Sequence, residues 1–140
     1  MEVKRILLDT NVWIFGLRNT PAYPHCRQIL ANLPKFHISV PRQIFRELFE
    51  NLDQSEMTRL FQLINLHPGR ITASWTLADA KLIKKYQRAG CKKGDAIVAA
   101  HAEALKIGVL ITENRGFLRQ YKRLPFAIMN SEEFSRTHGL

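Results

Sequence analysis

Cysteine is scarce. Cys26 and Cys91 are the only two in 140 residues, they form no CxxC pair, and no histidines cluster with them. That excludes a zinc ribbon and a disulfide framework. Long apolar runs are missing too, and none approaches the roughly 18 residues of a membrane span. Residues Met1 to Arg5 lead into no signal-peptide core, because Asp9 and Asn11 interrupt the apolar run that follows. No internal repeat or low-complexity tract divides the chain, and no glycine-rich phosphate loop occurs. Negative charge is the last scarcity: 12 acids stand against 21 lysines and arginines, a net charge of +9. The expectation is one domain over residues 1–140, cytoplasmic, with no membrane segment. Such a charge attracts polyanions, nucleic acid being the commonest.

What remains is ordinary globular material, 46% hydrophobic and 24% charged. Ile6-Leu7-Leu8 is a short apolar run broken by Asp9-Thr10-Asn11, where Thr10 or Asn11 suits a helix cap. Pro24 to Leu33 reads as helix, and Phe36 to Val40 alternates like a strand. Pro41 suits the first position of a helix burying Ile44, Phe45, Leu48 and Leu52. Asp53 with Glu56 forms a capping box for a helix through Leu66. A turn at His67-Pro68-Gly69 leads to a strand over Arg70 to Ala73. Thr76 with Asp79 reads as a second capping box, opening a helix to Arg88. Gly94 to Ile107 is helical with Gly108 as terminator, Val109 to Thr112 and Phe126 to Met129 are strands, and a closing helix starts at Asn130. Short apolar strands alternating with helices predict an α/β domain: three layers, with a mostly parallel sheet of five short strands.

In such a sheet, sites form at the carboxyl ends of strands, where the following helices also begin. Asp9 follows the first strand. Glu47 lies one to two turns into the helix after the second, bordering its buried stripe, whereas Glu50 points to solvent. Asp95 opens the helix that feeds the fourth strand, and Glu113-Asn114 follow that strand. Asp53, Asp79 and Glu133 occupy capping positions and need no further role. His101 falls on the apolar face of its helix and reads as a hydrogen-bonded core residue, and Asn11 to Phe15 reads as core. Carboxylates converging at a strand edge suit a hard cation, Mg²⁺ or Mn²⁺ rather than zinc. A negative cage in a basic protein is the electrostatic pattern of a nuclease.

At these residues the sequence resembles the PIN-domain family, and within it the small prokaryotic VapC-like ribonucleases. Four blocks carry the resemblance across nearly the whole chain: Ile6 to Val12, Ile38 to Leu48, Gly94 to Ala102, and Leu110-Ile111-Thr112-Glu113-Asn114-Arg115-Gly116-Phe117. It implies a metal-dependent endoribonuclease, frequent homodimers and, for toxin members, an inhibitory antitoxin partner. Asp9, Glu47 and Asp95 carry over as catalytic metal ligands. Asn114 stands where many members have Asp, its amide oxygen still able to coordinate or orient water. Glu113 is a candidate substitute ligand, and Thr112 supports that end through its hydroxyl.

Two rivals compete with this reading. A phosphoryl-transferring Asp hydrolase wants a second acid two residues after the first, and that position is Asn11. The same fold with an incomplete site would be an RNA-binding or scaffold protein without activity.

Overall fold

Three-residue apolar runs, buried at every position, set the architecture. Ile6, Leu7 and Leu8 are all buried, as are Val109, Leu110 and Ile111. Successive strand side chains point to opposite faces, so both faces of this sheet are covered. The computed structural model describes residues 5–114, 116–117 and 123–140. Arg115 of the fourth block and residues 1–4 lie outside them.

The order is β1 (Arg5–Leu8), α1 (Thr10–Leu17), α2 (Pro24–Ala31), a 3-10 turn (Leu33–Lys35), β2 (His37–Pro41), α3 (Arg42–Asn51), α4 (Gln54–Leu66) and β3 (Ile71–Ser74). It continues with α5 (Ala80–Arg88), α6 (Lys93–Ala104), β4 (Val109–Ile111), β5 (Ala127–Met129) and α7 (Ser131–Thr137). The strands lie in the order β3-β2-β1-β4-β5, and every pairing is parallel. Helix α2 packs on α1 and α7, and α5 packs on α6. This is the expected three-layer α/β/α fold with five short strands, wholly rather than mostly parallel.

Two close approaches matter for the site. The small residues Ala96, Ala99, Ala100 and Ala102 of α6 are fully buried, which lets this helix lie near the sheet. Gly16 does the same for α1 against α2: a Cβ there would stand 2.5 Å from Leu30 Cδ1 and 3.0 Å from the Cys26 carbonyl. Val12 and Trp13 are core, as expected, and Phe15 stacks on Tyr23.

Several boundaries differ from the sequence reading, each for a local reason. Asp9 itself caps α1, its Oδ1 accepting from Thr10 N at 2.9 Å, so neither Thr10 nor Asn11 is the cap. The Asp53/Glu56 capping box forms in full. The Thr76/Asp79 box does not: Asp79 accepts from Lys81 N and starts α5 at Ala80, leaving residues 75–79 as a loop. Helix α6 ends at Ala104 rather than Ile107, where Lys106 takes the left-handed conformation (φ 54°) expected of glycine. Gly108 is no terminator. Its N–H donates to Arg5 O and continues the pairing of β1 with β4. Pro41 closes β2 and precedes α3, and α2 stops at Ala31 ahead of the turn through Pro34.

Candidate active site

The carboxyl edge of the central strands collects the acids. Asp9 directly follows β1, and its N–H donates to Ile111 O at 2.8 Å, locking it against the end of β4. Helix α3 leaves the neighbouring edge of β2 and carries Glu47. Helix α6 brings Asp95 in its first turn, and Thr112, Glu113 and Asn114 follow β4.

Neutral donors hold each carboxylate. The Thr112 hydroxyl donates to Asp9 Oδ2 at 2.7 Å. The Thr10 hydroxyl donates to Glu47 Oε2, and Gln43 Nε2 donates to Glu47 Oε1 at 3.2 Å. Asn114 Nδ2 donates to Asp95 Oδ2 at 3.3 Å. The threonine at 112 is also a hub, accepting from Asn114 N at 3.0 Å and Asn11 Nδ2 at 3.4 Å. The carbonyl oxygen of the Asn114 side chain faces the other way and accepts from Gly116 N and Phe117 N. Asn114 therefore orients Asp95 through its amide nitrogen.

Electrostatically this is a negative site without an ion pair among the described residues. Asp9 is only 7% exposed. Burial, augmented by the charges of Glu47 and Asp95, pushes its pKa from 3.8 up to about 6, against the opposing bonds from Thr112 and Thr10. Burial also raises Asp95, with Lys92 and the Asn114 amide opposing. Among the described residues no lysine or arginine forms an ion pair with Asp9, Glu47 or Asp95. A buried carboxylate without a cationic partner is expensive.

The donor set is entirely oxygen, which suits a hard divalent cation. Among the described residues no three acidic, histidine or cysteine side chains already converge as a closed cage. The carboxylates are instead tethered to hydroxyls and amides, which a cation would have to draw together. Asp9, Glu47 and Asp95 are the carboxylates nearest to forming such a set.

Glu113 is not brought to this cluster. Its Oε1 accepts from Ser131 N at 2.8 Å, the first N–H of α7, and the Cys26 thiol lies 3.9 Å away. Its backbone N–H donates to Asn11 Oδ1 at 3.2 Å, so Glu113 ties α7 and α1 to the strand end. Glu50 is exposed, as expected. His101 is buried, but no hydrogen bond to a described residue satisfies its ring, contrary to the expectation of a bonded core histidine. Thr10 and Gln43 were missed as supports. Their signals were present, one residue after Asp9 and one helical turn before Glu47.

A PIN domain pattern matches residues 6–123, spanning Asp9, Glu47, Asp95 and Glu113 and most of the chain. The chain belongs to the PIN-domain family. PIN domains are generally nucleases. This chain's fold is similar to a chain in the crystal structure of VapBC2 from Rickettsia felis, bound to a DNA fragment from their promoter. The TM-score is 0.59 at 18% identity, covering 90% of this chain and 98% of that chain. No curated protein matches the sequence significantly. Among the described residues no helix is long and apolar enough to cross a membrane.

Proposed function

We propose that this PIN domain is a cytoplasmic, Mg²⁺- or Mn²⁺-dependent endoribonuclease, the toxin of a toxin–antitoxin pair. The observation that carries the reading is the buried Asp9, flanked by the charges of Glu47 and Asp95 and lacking any ion-pair partner among the described residues. Asp9, Glu47 and Asp95 would hold the cation. When bound, it supplies an activated water nucleophile and neutralises charge developing on the phosphoryl group. The chain's own residues do the positioning. Thr112 fixes Asp9, Thr10 and Gln43 fix Glu47, and Asn114 fixes Asp95. Outside this edge the +9 chain attracts the RNA backbone.

A homodimer and a cognate antitoxin complete the reading, supported by the VapC-like sequence blocks and by the fold shared with a VapBC2 chain. The test is incubation of a mixed RNA pool with Mn²⁺, with EDTA, and with an Asp95→Asn variant. Cleavage only by the wild type with metal supports the proposal. RNA that is bound but never cut would instead support an inactive RNA-binding PIN domain.

A further inference from the structure

Helix α3 presents two neighbouring rows of side chains. Gln43 and Glu47, one turn apart, face the acid cluster. Beside them run Arg42, Arg46 and Phe49, at i, i+4 and i+7, all exposed. Neither arginine has an ion pair or hydrogen bond with a described residue. Trp75 stands at the same edge of the sheet, one residue past Ser74, whose register partner is Pro41 at the end of β2. Its ring stacks on the buried Phe45 at 4.7 Å and 18°, and lies 6.5 Å from Phe49 at 10°. Even so, Trp75 is 54% exposed and Phe49 49%.

A cleft of about 100 Å³ lies beside the two arginines. Arg42, Gln43, Arg46 and His101 line it together with the apolar Leu77, Ala78, Ile83 and Ile97, and Gln43 also donates to Glu47. His101 is 5% exposed and lies on the wall of this cleft, with no hydrogen bond to a described residue. Burial favours its neutral form, which leaves the positive charge there to the arginines.

We propose that this strip is a binding site for single-stranded RNA running alongside the acid cluster. An unpaired base stacks on Trp75, and its backbone phosphate enters the cleft between Arg42 and Arg46, with His101 as a further hydrogen-bonding group. The inference rests on the nuclease reading above and names its substrate as unpaired. Three features favour this occupant. Stacked aromatics beside free arginines are the recurring platform for single strands. The two arginines match a polyanion. The cleft also joins the acid site through Gln43, and two strand spacings, on the order of 10 Å, separate Trp75 from the end of β1.

The test uses fluorescence anisotropy in an Asp95→Asn background, which keeps the probe intact, with a mixed-sequence 12-nucleotide RNA, its DNA counterpart and an RNA duplex. Trp75→Ala should weaken single-stranded RNA binding about tenfold, the loss of one stacked base, and Trp75→Phe much less. Arg46→Gln should lower the slope of log affinity against log salt by about 0.7. Because Trp13 is buried, the RNA should quench tryptophan emission through Trp75, and Trp75→Phe should abolish the quench. The duplex should be indifferent to Trp75.

Unchanged RNA affinity and salt slope in Trp75→Ala and Arg46→Gln overturn the proposal, as does a loss confined to DNA. So does a sedimentation shift to smaller species in Trp75→Ala and Phe49→Ser with RNA binding intact, which would make this face a contact between copies. Intact binding through the strip without cleavage by wild type would sink the nuclease reading and leave the strip standing. Metal-dependent cleavage that ignores Trp75 and Arg46 at subsaturating RNA would do the opposite.

Discussion

Replacing Asp9 by Asn should stabilise the metal-free protein. Asp9 sits buried with a pKa raised from 3.8 to about 6, so at pH 8 its ionised form opposes folding by about 3 kcal/mol. Asn keeps the oxygen that caps α1 through Thr10 N. It loses the bond from Thr112, because that hydroxyl already accepts from Asn114 N and Asn11 Nδ2, a loss of about 1–1.5 kcal/mol. The net gain is then on the order of 2 kcal/mol, or roughly 5 °C in Tm. The sign with pH follows from the raised value. Proton uptake by Asp9 stabilises the fold fully below its unfolded pKa of 3.8, and that contribution is lost as pH rises through about 6. The advantage of Asp9→Asn in EDTA should therefore be largest near pH 8, shrink through pH 6, and vanish or reverse near pH 4. Mn²⁺ at 100 times its Kd would favour the wild type by about 2.7 kcal/mol and invert the order. Thermal melts at pH 8, 6 and 4, with EDTA or Mn²⁺, decide it. A variant that melts lower than wild type at pH 8 in EDTA, by an amount insensitive to pH, would refute the reasoning.

Three further substitutions probe the surroundings of the site. Glu113→Gln should lower stability by about 1 kcal/mol, because a charged acceptor at Ser131 N becomes neutral, while the Mn²⁺ concentration for half-maximal cleavage stays put. A rise in that concentration would return Glu113 to the metal set. Asn114→Asp should destabilise the protein in EDTA, placing a second charge against Asp95 in place of the amide donor, and should lower the Mn²⁺ requirement for cleavage. Unchanged melting and metal dependence would remove this residue from the site. Gly16→Ala should cost about 1–3 kcal/mol in a denaturation series, since the added methyl overlaps Leu30 and crowds the Cys26 carbonyl. A neutral result would show that α2 yields freely.

The fold and the acidic edge were legible because both follow from periodicity and chain direction. Parallel strands place Asp9 and Asn114 at one edge, and the helical wheel separates Glu47 from Glu50. The fate of Glu113 was not legible. Adjacent residues leaving a strand point to opposite faces, and only the packed position of α7 shows that Ser131 N takes the Glu113 carboxylate. The start of α5 was misread because Thr76 and Asp79 match the spacing of a capping box. Asp79 is itself a strong cap, and it binds the backbone two residues ahead. The stop of α6 was misplaced onto Gly108 because a glycine was the obvious terminator, while Lys106 adopts the left-handed turn. Trp75 and Arg46 drew no attention as single residues. Their relation exists only once β3 is paired with β2 and the loop 75–79 lies over α3.

The proposed nuclease site requires Asp9, Glu47 and Asp95 to hold a divalent cation together. Calorimetric titration of Mn²⁺ into the wild type and into Asp9→Asn, Glu47→Gln and Asp95→Asn tests it most directly. The wild type should bind saturably and each variant at least tenfold more weakly, with Glu113→Gln binding like the wild type. Equal affinity in the wild type and all three acid variants would contradict it.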